Sequence, residues 1–251
     1  MIKPNVAILK TDGINCDMEM AHAFEVAGAK SELVHINELR GKEKTLRDFA
    51  VLAIPGGFSY GDDIASGAVL ANELMTQLSD DVREFIHKEK PIIGICNGFQ
   101  VLTRAGILPD ISPEYHEKVS LLANKECKFI SKWVELEVPE NAKCEFVKGI
   151  NAEKGSVPMH ISHAEGRFFA SGEELQKLQD MRQVAFKYVV NPNGSSGDIA
   201  GICDYTGLVL GMMPHPERSV AGFHADRSRT TTARNAANII FKNIVNYAKE
   251  S

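Results

Sequence analysis

The sequence predicts an α/β fold: a mostly parallel sheet with helices on both faces. Three observations lead there. Short apolar runs without polar alternation, at residues 5–9 (NVAIL), 49–54 (FAVLAI) and 91–95 (PIIGI), read as strands buried on both sides. Amphipathic segments of helical period separate them, which is the pattern of a parallel sheet crossed by helices. Glycine-rich turns close the second and third of these runs, at the strand carboxyl ends where such sheets carry their active sites.

The elements follow in order. After the first strand, residues 17–27 show helical spacing at Met18, Ala21, Phe24 and Val26. Residues 32–36 read as a second strand and 49–54 as a third, ended by Pro55, Gly56 and Gly57. Residues 64–88 carry Ile64, Ala68, Leu74, Met75, Leu78, Val82 and Phe85 near a 3.6-residue period, which predicts one long helix. The central strand at 91–95 precedes a helix-compatible run at 100–105. Residues 119–147 read as strands and turns, and 208–210 as another strand. The chain closes on an amphipathic helix over 230–248, with Ala233, Ala236, Ile240, Ile244 and Tyr247 on one face. No repeat, low-complexity linker or defensible boundary divides residues 1–251, so a single domain is expected.

The chain of 251 residues is 44% hydrophobic and 24% charged, ordinary values for a globular protein able to bury a core without disulfides or metals. Its net charge of −5, from 28 basic and 33 acidic residues, leaves no basic footprint for nucleic acid or an anionic membrane. No apolar stretch approaches the roughly 18 residues of a membrane span, and the start reads as a strand rather than a signal region. The five cysteines, Cys16, Cys96, Cys127, Cys144 and Cys203, form no C-x-x-C pair, so no metal site is expected. A reduced, cytoplasmic protein is the expectation.

The most informative stretch is residues 94–100, GICNGFQ. It is the thiol counterpart of the G-x-S-x-G nucleophile elbow, set between a buried strand and a helix. On such a strained turn there is no room for side chains two residues either side, hence Gly94 and Gly98. Cys96 would then sit above the sheet at a helix N-terminus, where the dipole favours thiolate. A free thiol, with a pKa of about 8.5, also needs a neighbouring base.

Eight histidines compete for that role. His22 and His87 lie in helical runs; His35, His116 and His224 have no distinguishing setting; His160 and His163 are three residues apart. His215 stands out within MMPHPER at residues 212–218, just after a strand. Its flanking prolines favour extended backbone, where side chains two apart point the same way. Glu217 would thus reach the imidazole and hold it for proton transfer. Attack on a carbonyl also needs preplaced N–H donors. The backbone of Asn97, just after the thiol, and of Gly57, in the PGGF turn at 55–58, are the candidates.

A P-G-G loop, a G-x-C-x-G-x-Q elbow and a late H-P-E in this order resemble the class I (triad) glutamine amidotransferases. Finer matches are PGGFSYGDDIASG at 55–67, HAEGRF at 163–168, NPNG at 191–194, GMMPHPER at 211–218 and the Asn15-Cys16-Asp17 triplet. These are similar to the glutaminase subunits of phosphoribosylformylglycinamidine synthase, over about residues 5–245. The resemblance implies a flavodoxin-like fold, with Cys96 as nucleophile, His215 as general base then acid, and Glu217 as its orienter. It implies that Gln100 contacts glutamine and that the loop at 163–168, with His163, Gly166 and Arg167, lines the amino-acid end. It further implies no cofactor in this chain. Ammonia would go to a large synthetase subunit using ATP and Mg, with a small bridging subunit as a third partner. Two features depart from the pattern: Ile14, where many members have a hydroxyl residue, and a long region at 118–154.

Other readings make different demands. A glutaminase of another synthetase should lack the FSYGDD and HAEGR segments. A stand-alone cysteine hydrolase would not need the late H-P-E, and a non-catalytic interaction subunit predicts a broken triad. Cys16 competes as nucleophile, but the carboxylate of Asp17 would raise its pKa, so a structural role is expected for it. Low activity without the synthetase is also expected, since ammonia made without an acceptor is wasted.

Overall fold

A computed structural model describes residues 3–110, 116–150, 155–220 and 227–250. The first apolar run forms β1 (Asn5–Lys10), followed by α1 (Asp17–Val26), β2 (Lys30–His35), the short α2 (Ile36–Arg40) and β3 (Val51–Ile54). Helices α3 (Ala68–Gln77) and α4 (Ser79–His87) lead to β4 (Ile92–Ile95), and α5 (Asn97–Arg104) follows with only Cys96 between them. Then come β5 (Val119–Leu122), β6 (Ile130–Glu137), β7 (Val157–His163), β8 (Arg167–Ala170), α6 (Gly172–Asp180) and β9 (Val184–Tyr188). Strands β10 (Ile199–Cys203) and β11 (Val209–Met212) and helix α7 (Arg227–Glu250) complete the order.

The main sheet runs β2-β1-β3-β4-β11-β10-β9-β6-β7. Its first five strands are parallel, and β10, β9, β6 and β7 extend it by antiparallel pairing. Strands β5 and β8 form a separate antiparallel ribbon. From β1 the chain steps to β2, whereas from β3 it steps the other way, to β4. Right-handed crossovers therefore put α1 on one face and α3 and α5 on the opposite one. The two directions part between β1 and β3, a topological switch point, so the loops at 11–16 and 55–67 open onto the crevice where such sheets bind ligands.

All four residues of β3 and of β4 are buried, as strands covered on both faces must be. Helix α7 closes its face with Ala233, Ile240, Phe241 and Ile244, and Phe241 meets Phe24 of α1 edge-on at 5.1 Å between centroids.

Some expectations need correction. In α1 the buried side chains are Asp17, Met20, Ala23 and Phe24, while Met18 is 64% exposed. Two methionines two residues apart gave the period no way to choose. Residues 64–88 are two helices, because the Leu78 backbone leaves the helical region (φ −123°, ψ 14°). Leu74, Val82 and Phe85 on either side bury into the same core, so the apolar spacing runs through the break. Ile64, 80% exposed, precedes both. Ile36 starts α2 rather than ending β2: His35 accepts from the Asn37 N–H while Glu38 accepts from the His35 N–H, a reciprocal cap.

Candidate active site

The elbow is built from crowding. Cys96 sits between β4 and α5 with φ 54° and ψ −105°, a strained conformation for a non-glycine residue that costs about 1–3 kcal/mol. Its N–H donates to the Met212 carbonyl at 2.8 Å, and its own carbonyl accepts from the N–H groups of Phe99 and Gln100. These bonds hold the residue from both sides. A Cβ on Gly94 would lie 2.6 Å from the Gly98 carbonyl oxygen, and one on Gly98 would lie 2.0 Å from that of Ile54. The helix start therefore packs backbone to backbone on β3, as the spacing of the two glycines requires. The thiol is 6% exposed, with Sγ 3.6 Å from the Ser162 carbonyl.

His215 is fully buried and Glu217 2% exposed, and His215 Nδ1 and Glu217 Oε1 are 2.5 Å apart. The route to this pairing differs from the expected extended segment. Pro216 is in the right-handed helical region (φ −66°, ψ −33°) and opens a 3₁₀ turn, Glu217–Ser219, so a tight turn brings the carboxylate back to the ring. The His215 N–H donates to the His160 carbonyl at 2.9 Å, tying the segment to β7. Burial opposes a charge on His215. The Glu217 carboxylate, followed by the thiols of Cys96 and Cys16, outweighs burial and holds its pKa well above the ordinary histidine value. Nε2 has no hydrogen-bond partner among the described residues.

Gly57 forms an isolated antiparallel bridge with Ile14. The bridge uses the N–H of Phe58, on the Gly13 carbonyl, and that of Asn15, on the Gly56 carbonyl. The Gly57 N–H is not one of these. At φ +145°, with the Gly13 oxygen and the Asn15 nitrogen each 2.8 Å from where a Cβ would stand, only glycine fits. The Asn97 N–H, at the first position of α5, has no intrahelical acceptor. The two candidate donors follow the paired strands β3 and β4.

His163 is 3% exposed, its Nδ1 is 3.1 Å from Asn124 Oδ1, and Nε2 has no partner among the described residues. Burial, with the charge of His215 second, lowers its pKa to about 4, so it is neutral near pH 7. A Cβ on Gly166 would strike the His163 ring at 2.2 Å. Gln100 is spent inside the scaffold: its amide donates to the Glu165 carbonyl at 2.6 Å and accepts from Asn97 Nδ2 at 3.0 Å. Arg167 Nε donates to the Ala123 carbonyl at 2.9 Å. His22, His87 and His116 are exposed and His35 caps α2, while His224 lies outside the described residues, as do residues 151–154 of the long middle region.

A model of the CobB/CobQ-like glutamine amidotransferase domain matches residues 3–248. The chain belongs to that family. A relative from Methanococcus maripaludis, phosphoribosylformylglycinamidine synthase subunit PurQ, is 43% identical over 235 residues, covering 88% of this chain and 85% of its own length. A protein of the same name from Dehalococcoides mccartyi is 39% identical, with both chains covered in full. The solved structure of PurLQS from Thermotoga maritima superposes with a TM-score of 0.77 at 32% identity, covering 98% of this chain and 99% of the matched one.

Several residues of the amidotransferase site carried no strong signal of their own. Cys16 does not stand apart from the triad: its Sγ, a His215 ring nitrogen and a Glu217 oxygen lie within 4.8 Å of one another. Among the described residues this is the one grouping with three potential metal-ligating atoms. Its setting is poor for a cation, because Arg218 Nη2 is 3.3 Å from Cys16 Sγ and Nδ1 is engaged by Glu217. Asn124, from the region read only as strands and turns, is 1% exposed. It joins the carbonyls of Lys128 and His163 to the Gly166 N–H. No helix of the described residues is long and apolar enough to cross a membrane.

Proposed function

We propose that this chain, as one amidotransferase domain over residues 1–251, is the glutaminase subunit of a phosphoribosylformylglycinamidine synthase in purine biosynthesis. The observation that carries the chemistry is Cys96, at a strained strand-to-helix turn, set together with the buried His215–Glu217 pair around Gly56, where an added Cβ would lie 2.9 Å from His215 Cε1 and 3.3 Å from Cys96 Cβ. The full-length likeness to the Dehalococcoides relative, named for that synthase, supports the pathway.

In the reaction, Cys96 Sγ attacks the side-chain amide carbon of L-glutamine while its proton passes to His215. The N–H groups of Gly57 and Asn97 receive the oxyanion. Collapse breaks the C–N bond, His215 returns a proton to the nitrogen, and ammonia leaves a γ-glutamyl thioester. Water, deprotonated by His215, adds to the thioester carbonyl; the C–S bond breaks and glutamate departs. Glu217 fixes the imidazole tautomer and offsets its charge. The loop with His163, Gly166 and Arg167 lines the glutamine site, and Gln100 holds that loop through Glu165 rather than reaching the substrate with a free amide.

Ammonia passes to a large synthetase subunit, which uses ATP and Mg to convert formylglycinamide ribonucleotide to the amidine, with a small bridging subunit between them. This chain needs no cofactor and works in the cytoplasm. Glutaminase rates of wild type, Cys96→Ala and Cys16→Ala, with and without synthetase, ATP and formylglycinamide ribonucleotide, test the proposal. Loss only in Cys96→Ala, with stimulation of wild type by the synthetase, is expected. Hydrolysis that needs Cys96 but ignores the synthetase would keep the chemistry and overturn the pathway.

A further inference from the structure

Cys16 is a second thiol in the pocket of Cys96, and glutamine hydrolysis as described does not use it. Gly56 lies between the two. A Cβ there would be 3.3 Å from Cys96 Cβ, 3.4 Å from Cys16 Sγ and 2.9 Å from His215 Cε1. One methyl group would thus touch both cysteines and the imidazole, and glycine leaves that space open. Cys16 Sγ, a His215 ring nitrogen and a Glu217 oxygen lie within 4.8 Å of one another. Both thiols act on the same ring: after the Glu217 carboxylate, Cys96 and then Cys16 hold the charge of His215 against burial. Nε2 of this fully buried ring has no hydrogen-bond partner among the described residues.

The two cysteines are held differently. Cys96 is fixed by its N–H on the Met212 carbonyl and by the N–H groups of Phe99 and Gln100 on its own carbonyl. Cys16 precedes α1 without a side-chain cap, and its sulfur makes only long contacts, 3.4 Å to Asn15 Oδ1 and 3.3 Å from Arg218 Nη2. Movement of that sulfur into the space at Gly56 shortens its path to Cys96, toward the roughly 2.05 Å of an S–S bond. Arg218 offers positive charge to a sulfur that attacks as an anion. We propose that Cys16 is the resolving thiol for Cys96: when a hydroperoxide oxidises the nucleophile, the two close into a disulfide that halts hydrolysis and that a thiol reductant reopens. The Cys96 thiolate attacks one peroxide oxygen, the O–O bond breaks, and the departing hydroxide takes the His215 proton to leave water and a sulfenic acid. Cys16 then gives its proton to the neutral imidazole and attacks the Cys96 sulfur. The S–S bond forms, the S–O bond breaks, and His215 returns the proton to make a second water. Two thiols are oxidised and one peroxide is reduced. Without Cys16 the sulfenic acid meets further peroxide and becomes a sulfinic acid, which thiols do not reduce.

The proposal shares a reactive Cys96 with the glutaminase reading, but the disulfide is detected without turnover. Wild type and Cys16→Ser, which keeps an acceptor for Arg218, are treated with hydrogen peroxide, cleared of it with catalase, alkylated with iodoacetamide and mapped by non-reducing peptide mass spectrometry. Wild type should give the peptide carrying Cys16 joined to that carrying Cys96, lighter by two hydrogen atoms than the separate pair. Unalkylated samples are added to the synthetase after peroxide removal. Wild-type glutaminase should be lost and should return with dithiothreitol. In Cys16→Ser, Cys96 should gain two oxygen atoms, and activity relative to the same variant untreated should not return. A wild-type map in which Cys96 stays reduced, becomes sulfinic or joins another cysteine overturns the proposal, and so does equal recovery of the two proteins. The wild-type map decides even where Cys16→Ser does not fold. A joined Cys16–Cys96 peptide from a chain that hydrolyses no glutamine with the synthetase would uphold the disulfide and count against the glutaminase reading.

Discussion

Replacing Gly98 by alanine puts a methyl carbon 2.0 Å from the carbonyl oxygen of Ile54 and 2.8 Å from its carbonyl carbon. Both are backbone atoms of a fully buried strand, so no side chain can swing away. Reaching an ordinary contact of 3.4 Å requires the start of α5 and β3 to part by roughly 1.4 Å, along a repulsive wall too steep to absorb the overlap otherwise. Cys96 and the Asn97 N–H ride on the moving side and the Gly57 N–H on the fixed one. Misplacement of about 1 Å between reacting groups costs about 10²-fold in rate, which is close to 3 kcal/mol of barrier. Overpacking should also remove about 1–3 kcal/mol of stability, at about 2–4 °C of Tm per kcal/mol for a chain of this size. Glutaminase kcat/KM and a thermal melt read the two effects. Gly172→Ala, where a Cβ meets nothing within 4 Å, is the control and should leave both unchanged. Gly98→Ala with wild-type kcat/KM and wild-type Tm would refute the reasoning that the elbow is set by backbone contact.

Three further outcomes follow from the same geometry. Glu217→Gln removes the carboxylate 2.5 Å from His215 Nδ1 and should lower kcat/KM by about 10²–10⁴-fold, chiefly in kcat, read by ammonia release at several glutamine concentrations. His163 binds its proton near pH 4 in the folded chain against 6.5 as the ordinary value, so the unfolded chain holds more protons between those limits. Stability from this group is complete above pH 6.5 and lost as pH falls through 4. The amount is about 3 kcal/mol, and urea unfolding of His163→Gln should lack that part of the acid loss. Asn124→Ala leaves buried partners at His163, Gly166 and Lys128 unmet and should cost about 2–3 kcal/mol in the same assay.

The parallel half of the sheet was legible in the sequence because β1, β3 and β4 are buried on both faces and read as unbroken apolar runs. The elbow was legible because its two glycines answer to backbone contacts that no other residue allows. The His215–Glu217 pair was found for a partly mistaken reason: two residues apart suits a strand, but the structure makes the pair with a turn at Pro216. What stayed hidden is what forms only when distant loops meet. Cys16 and Arg218 are 202 positions apart and touch at 3.3 Å, and Asn124 looks like any loop asparagine until β7 and β8 surround it. The break at Leu78 was invisible to periodicity because both helices bury the same face, although Asp80 and Asp81 mark the first turn of α4, where acidic residues are favoured.

The most direct measurement is to quench wild-type protein with acid during turnover of L-glutamine and locate the covalent adduct by peptide mass spectrometry. A γ-glutamyl group is expected on the peptide carrying Cys96, absent from Cys96→Ala and retained in Cys16→Ala. An adduct on the peptide carrying Cys16, or glutamine hydrolysis persisting in Cys96→Ala, would contradict that expectation.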